Sequence, residues 1–199
     1  LQEGYGFSFD RAWYPFTPED TPTAHWSFLY SLFIAGIYAL FGVNPLAARL
    51  IQGILGGLLL PLMVYRLSKA LFAFPNRKPS IRGIGEAEVQ AVPLVGAGAA
   101  ACYGYFILHA ATLMTETFYI VALLWTLEVG IRMADRLRGG QLITRSLGWQ
   151  LGLGLGLAAL LRQSILPWIP VLFAYLLWLA WRNHQIATLT STIVRVGGV

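Results

Sequence analysis

Few residues in this chain have types and positions suited to chemistry. They are Glu116 in ATLMTETFYIVALLW, Arg162 in LAALLRQSILPWIP, Arg49 in GVNPLAARL, the acids Glu19 and Asp20, and His25 beside Trp26. A carboxylate at the mouth of an apolar run is costly unless it meets water, a polar cavity or a counter-charge. Glu116 has no base four residues on, where Ile120 stands. It is either an interfacial acid near the positive end of a helix dipole, about one turn in with Thr112 as cap, or a group facing a polar cavity. Arg162 interrupts an apolar run and is either a snorkelling residue at a turn or a guanidinium able to grip phosphate bidentately. Arg49 carries the same two readings. His25 is a candidate proton-transfer group, but an isolated one. Glu128 has Arg132 at i+4 and is expected to form a local ion pair without a catalytic role.

Other chemistries find no support in the sequence. Three scattered histidines and one cysteine, Cys102, have no metal-site spacing, and a lone cysteine forms no intrachain disulfide. GLGLGLAAL lies within an apolar segment, unlike a phosphate-cradling loop between strand and helix. The aromatic residues Tyr5, Phe7, Phe9, Trp13, Tyr14, Phe16 and Trp26 read as an interfacial belt, with sugar stacking as the alternative.

The elements that must position these residues are apolar. The 199 residues are 57% hydrophobic and 12% charged, which marks a membrane protein, so the net charge of +5 is tested first as a topology signal rather than as a nucleic-acid footprint. Five segments are expected to span: 46–65, 89–108, 110–131, 147–161 and 165–181. The stretch between Arg66 and Glu88 holds five basic residues against two acids, and that between Arg132 and Ser146 four against one. Five crossings put both, and the tail from Arg182, on one side, assigned to the cytoplasm by the positive-inside rule. The opening, with four acids against Arg11, then lies outside. This holds if the aromatic stretch 26–41 does not cross and is instead interfacial or re-entrant. The expected architecture is an all-α polytopic transmembrane bundle: residues 1–45 form an external loop plus interfacial helix, 46–181 about five transmembrane helices, and 182–199 a cytoplasmic tail or the start of a further segment. Gly148, Gly152 and Gly156, with Gly53 and Gly57, are expected at helix contacts. No signal peptide precedes the opening, and the first residue, Leu1, suggests a fragment.

In chain order, LQEGYGFSF, PTAHWSFLYSLFIAGIYALFGVNPLAARLIQ, TLMTETF and GLGLGLAALLRQSILPWIP resemble the polytopic GT-C glycosyltransferases that use polyprenyl-phosphate-linked sugars. That group contains protein O-mannosyltransferases and bacterial aminoarabinose transferases. The resemblance covers an early portion of a typical member. It implies a first transmembrane helix upstream and an external acidic motif that would fall before Leu1, so the general base is absent here and the catalytic residues are unknown. It implies that Arg162, and with it Arg49, faces the lipid phosphate, and that Glu116 with Glu19 or Asp20 orients sugar or acceptor. It also implies a metal-independent reaction with no cofactor and a polyprenyl-phosphate-linked sugar as donor. The acceptor would be a protein, glycolipid or polysaccharide at the outer face of a bacterial inner membrane. Two departures stand out: Ser27 and Ser31 where relatives carry a proline run, and LLRQ where many read LTRP. The alternatives are a transporter or flippase-like carrier, which calls for charges near mid-bilayer and broken helices in paired halves, and a noncatalytic membrane scaffold.

Overall fold

The computed structural model describes residues 27–72 and 86–182. Its elements are α1 (Phe28–Phe41), α2 (Pro45–Phe72), α3 (Glu86–Ala101), α4 (Gly104–Ala111), α5 (Glu116–Arg138), α6 (Arg145–Leu161), a 3-10 turn at Gln163–Ile165 and α7 (Trp168–Arg182). The chain is an all-α membrane bundle, and no strand occurs among the described residues.

Helix α2 begins where local chemistry requires it. Gly42 takes a positive φ of 70°, ending α1 in a conformation that costs a glycine little. The Asn44 side-chain oxygen then accepts from the N–H groups of Leu46 (3.0 Å) and Ala47 (3.3 Å), and Pro45 opens the helix without needing a donor. Along α2 the buried positions are Ala48, Gln52, Gly56, Leu60, Met63 and Ala70, whereas Leu46, Leu50, Ile54, Leu58 and Leu62 point outward. Apart from Leu60 and Met63 the buried positions are small or polar while most of the large apolar side chains point outward, the distribution expected when hydrocarbon, not water, is the surrounding solvent.

Contacts set the helix directions. Gln52 bonds to the turn before α5, Gly56 lies against Thr117, and Arg66 reaches Glu128, so α2 and α5 run parallel. The return between them is not one helix: α3 and α4 meet at Cys102–Tyr103 with a bend of 52°. Helix α6 runs back along α5, with Gly154 beside Thr126 and Arg162 beside Glu116. Helix α7 turns again, bringing Leu172 to Gly130 and Tyr175 to Arg138. Val129, Met133, Leu137, Leu147, Leu151, Leu176 and Leu179 close the core between α5, α6 and α7.

These directions alternate as a five-crossing chain requires, but the segments differ from the sequence expectation. Three described helices are long and apolar enough to cross a membrane, Pro45–Phe72, Glu116–Arg138 and Gln163–Arg182, or four if the bent α3–α4 pair counts as one span. The expected continuous helix over 89–108 is broken. Helix α6, at 17 residues, measures about 25 Å against a hydrocarbon core of about 30 Å. Helix α1, at 14 residues, measures about 21 Å and seats Leu29 and Tyr30 against Ala158, Leu161 and Ile165. The segment expected over 110–131 starts as a helix only at Glu116 and continues to Arg138.

The packed glycines match the expected ones only in part: a Cβ at Gly53 would meet Ala110 O of α4 at an ordinary 3.9 Å, but the tight contacts fall on glycines that were not expected. A Cβ at Gly56 would lie 2.7 Å from Thr117 Cγ2, and one at Gly154 would lie 2.7 Å from Thr126 Oγ1, whereas Gly57 and Gly156 face open space. The four-residue spacing was right for a helix face, but α6 is rotated so that Gly154 meets α5. Gly154→Leu should therefore lower stability by about 1–3 kcal/mol through overpacking. Gly156→Leu should leave the thermal unfolding midpoint in nanodiscs close to wild type.

Candidate functional site

Charge is divided between the two ends of the bundle. At one end Glu128, fully buried, lies between Arg66 and Arg132: Arg66 Nη2 stands 3.0 Å from Oε2, its Nε donates to Oε1 at 3.3 Å, and Arg132 pairs with Oε1. The expected i+4 pair is present, but its main consequence is tertiary, because Arg66 comes from α2. Arg136, Arg138, Arg145 and Arg182 extend this basic end.

At the other end Glu116 meets Arg162 across 46 residues of sequence, Nη1 donating to Oε1 at 2.9 Å. Glu116 is the first residue of α5 and follows Thr115, not one turn inside a helix capped by Thr112. The Thr112 hydroxyl instead donates back to Leu108 O at 2.9 Å, closing the end of α4. Arg162 sits in extended backbone, φ −157° and ψ 121°, at the break between α6 and the 3-10 turn. That break lets its side chain leave the helix axis toward α5.

The pair opens on a pocket of about 570 Å³ lined by Ser27, Tyr30, the turn 113–116 and residues 159–163. The guanidinium is about half exposed and the carboxylate a quarter exposed, so both are available to a ligand. Beside it runs an apolar groove of about 360 Å³ between α1, α5 and α6, with Leu32, Phe33, Phe118, Val121, Trp125 and Leu157 among its walls. Tyr30 and Leu161 line both, so the polar pocket and the apolar groove adjoin across these two side chains. Burial first, then Tyr38 and Glu116, push the Tyr30 phenol above its usual range, so its hydroxyl stays a donor. That donor goes to Gln52 Oε1 at 2.9 Å.

The remaining sequence candidates stand elsewhere. Arg49 is exposed on α2, makes no hydrogen bond or ion pair with another described residue, and does not line the pocket. Glu19, Asp20 and His25, with the aromatic residues around them, lie outside the described residues. His109 is buried against Tyr105, ring centroids 4.2 Å apart, away from the pocket. No three His, Cys, Asp or Glu among the described residues gather in a metal-binding group.

Sequence reasoning missed Gln52 and Tyr30. Gln52 carried a signal: a lone amide inside the apolar run ARLIQGILGG, costly in hydrocarbon unless bonded. Tyr30 carried none, being one aromatic among many in WSFLYSLF. Comparison with protein-family models, with curated proteins and with solved structures finds no match for the chain.

The two charged centres should differ in what they contribute to stability. Glu116→Gln should shift unfolding by no more than about 1 kcal/mol, as for other partly exposed pairs. Glu128→Ala, which leaves two arginines without their shared buried counter-charge, should cost about 2 kcal/mol or more. Thermal unfolding in one detergent checks both.

Proposed function

We propose that the chain belongs to a membrane glycosyltransferase that moves a sugar from a polyprenyl-phosphate donor to an acceptor at the non-cytoplasmic face. The observation that carries this reading is the Glu116–Arg162 pair in a pocket that shares Tyr30 and Leu161 with an adjoining apolar groove. An amphipathic donor has that shape: the isoprenoid follows the groove between α1, α5 and α6, and the phosphate and sugar occupy the pocket. In transfer, an acceptor hydroxyl oxygen bonds to the anomeric carbon as the carbon–oxygen bond to the lipid phosphate breaks. The hydroxyl proton passes to a carboxylate, which the resemblance puts ahead of Leu1. Arg162 spends one nitrogen on Glu116, and its other donors are available for the departing phosphate, where negative charge grows. Glu116, held by that contact, orients sugar or acceptor hydroxyls.

The location of the pair supports the orientation. It lies at the end of the bundle opposite Arg66, Arg132, Arg138 and Arg182, and the positive-inside rule assigns such a basic end to the cytoplasm. A bacterial plasma membrane fits this arrangement, with the donor entering laterally from the outer leaflet.

A carrier is the second reading, and one observation favours it. The α3–α4 bend of 52° lies beside Leu60 and Pro61, about halfway along α2, and carriers use helices broken at such depth. The charges at Glu116 and Arg162 lie instead at helix ends.

The full-length gene product, reconstituted with a labelled polyprenyl-phosphate sugar, should transfer the label to acceptor. Arg162→Ala and Glu116→Gln should each lower the rate about 10²-fold or more. Undiminished transfer in both variants removes these site assignments. Flux of the lipid across proteoliposomes without transfer selects the carrier.

A further inference from the structure

Gln52 is fully buried on α2, and its side chain joins three parts of the chain. Its Nε2 faces the carbonyl oxygens of His109 at 3.1 Å, Thr112 at 2.6 Å and Met114 at 3.2 Å. Its Oε1 accepts the Tyr30 hydroxyl at 2.9 Å. The amide orientation follows from the three carbonyls, because a flipped amide would set its oxygen against three acceptor oxygens; the Tyr30 hydroxyl, able to donate, then bonds Oε1. Two N–H bonds shared among three acceptors satisfy carbonyls that the end of α4 and the following turn leave without helical partners. Carbonyls left unpaired at membrane depth would be expensive.

The consequence reaches the pocket. The turn that Gln52 holds delivers Thr115 and Glu116 to the pocket lining, and the hydroxyl it accepts belongs to Tyr30 of α1, which lines the same pocket. Tyr30 also touches the groove, where its ring lies 6.5 Å from Phe118 and the neighbouring Phe33 ring meets Phe118 edge-on at 4.8 Å. We infer that Gln52 is the positioning residue of the site: through one side-chain amide it locks α1 to the turn before α5, fixing the spacing between the groove wall and Glu116. Gln52 does not itself line the pocket or the groove and acts through Tyr30 and the turn. The inference rests on the reading of the pocket as a lipid-phosphate site for its functional meaning, but the coupling itself is a property of the free protein.

Hydrogen exchange on the protein in nanodiscs tests the coupling. Tyr30→Phe removes one hydroxyl, more than 80 residues from the turn in sequence and bonded to Gln52. It should accelerate exchange of the amides of 114–119 about fivefold, along with those at the start of α1, and leave α7 unchanged. Gln52→Leu should accelerate both segments by about tenfold or more. Acceleration confined to α1 in Tyr30→Phe, or to the turn in Gln52→Leu, overturns the coupling and reduces Gln52 to a cap on α4. If Gln52→Leu does not fold, Tyr30→Phe decides alone. The second arm titrates a polyprenyl monophosphate against each protein and separates affinity from capacity. Both variants should raise Kd about fivefold with capacity retained, whereas simple loss of folded protein lowers capacity at constant Kd. Coupled exchange with wild-type protein that does not bind this probe defeats the lipid-phosphate reading and leaves the Tyr30–Gln52–turn link standing. Unchanged Kd in both variants of a binding wild type defeats the positioning role.

Discussion

Backbone polar groups inside a bilayer must find partners within the protein, and the architecture of this chain follows from how it meets that demand where helices stop. The bent return from α2 to α5 interrupts regular bonding twice, at Cys102–Tyr103 and at Thr112–Thr115. At the first break the N–H groups of Cys102 and Tyr103 fold back to Gly98 and Ala100, and the Tyr103 carbonyl starts α4 by accepting from Phe106 and Ile107. At the second, the Thr112 hydroxyl reinforces the N–H bond to Leu108 O, and the Gln52 amide reaches the carbonyls of His109, Thr112 and Met114. Because that turn is tolerated, α5 starts with a carboxylate at its N-terminus, where the helix dipole favours negative charge.

The bundle separates two uses of ionised side chains. Glu128 is sealed between α2 and α5 with two arginines and ties the helices at the basic end. Glu116 and Arg162 are partly open and line a pocket. A fully buried carboxylate between two guanidinium groups is closed off from a ligand, whereas a partly exposed pair with one short contact keeps donors and acceptors within a ligand's reach. The apolar exterior is the complement of this arrangement: leucines on α2 and tryptophans on α7 face outward, while glycine, alanine, threonine and glutamine fill the helix contacts.

Helix α1 joins the two properties. At 14 residues it is shorter than the helices long enough to cross a membrane, and its ring-bearing face packs on α5 and α6 and forms one side of the groove. A short helix lying against a bundle can rock unless something pins it. The Tyr30–Gln52 bond supplies a polar pin among otherwise nondirectional aromatic and aliphatic contacts.

Composition and hydropathy alone were enough to establish that this is an all-α membrane bundle, because long apolar segments with basic loops have few other solutions. The i+4 spacing of Glu128 and Arg132 determined a local pair, since helix geometry sets that distance whatever the fold. The positions of Glu116 and Arg162 near apolar-run boundaries were equally legible. Their contact was not, because no local rule links residues 46 apart. Nor could periodicity decide that Gly154 rather than Gly156 meets α5, that Arg66 shares Glu128, or that an apparently continuous apolar run breaks at Cys102. Those outcomes depend on helix rotation and on which neighbour supplies partners for freed carbonyls, and both are fixed only when α2, α4 and α5 pack together.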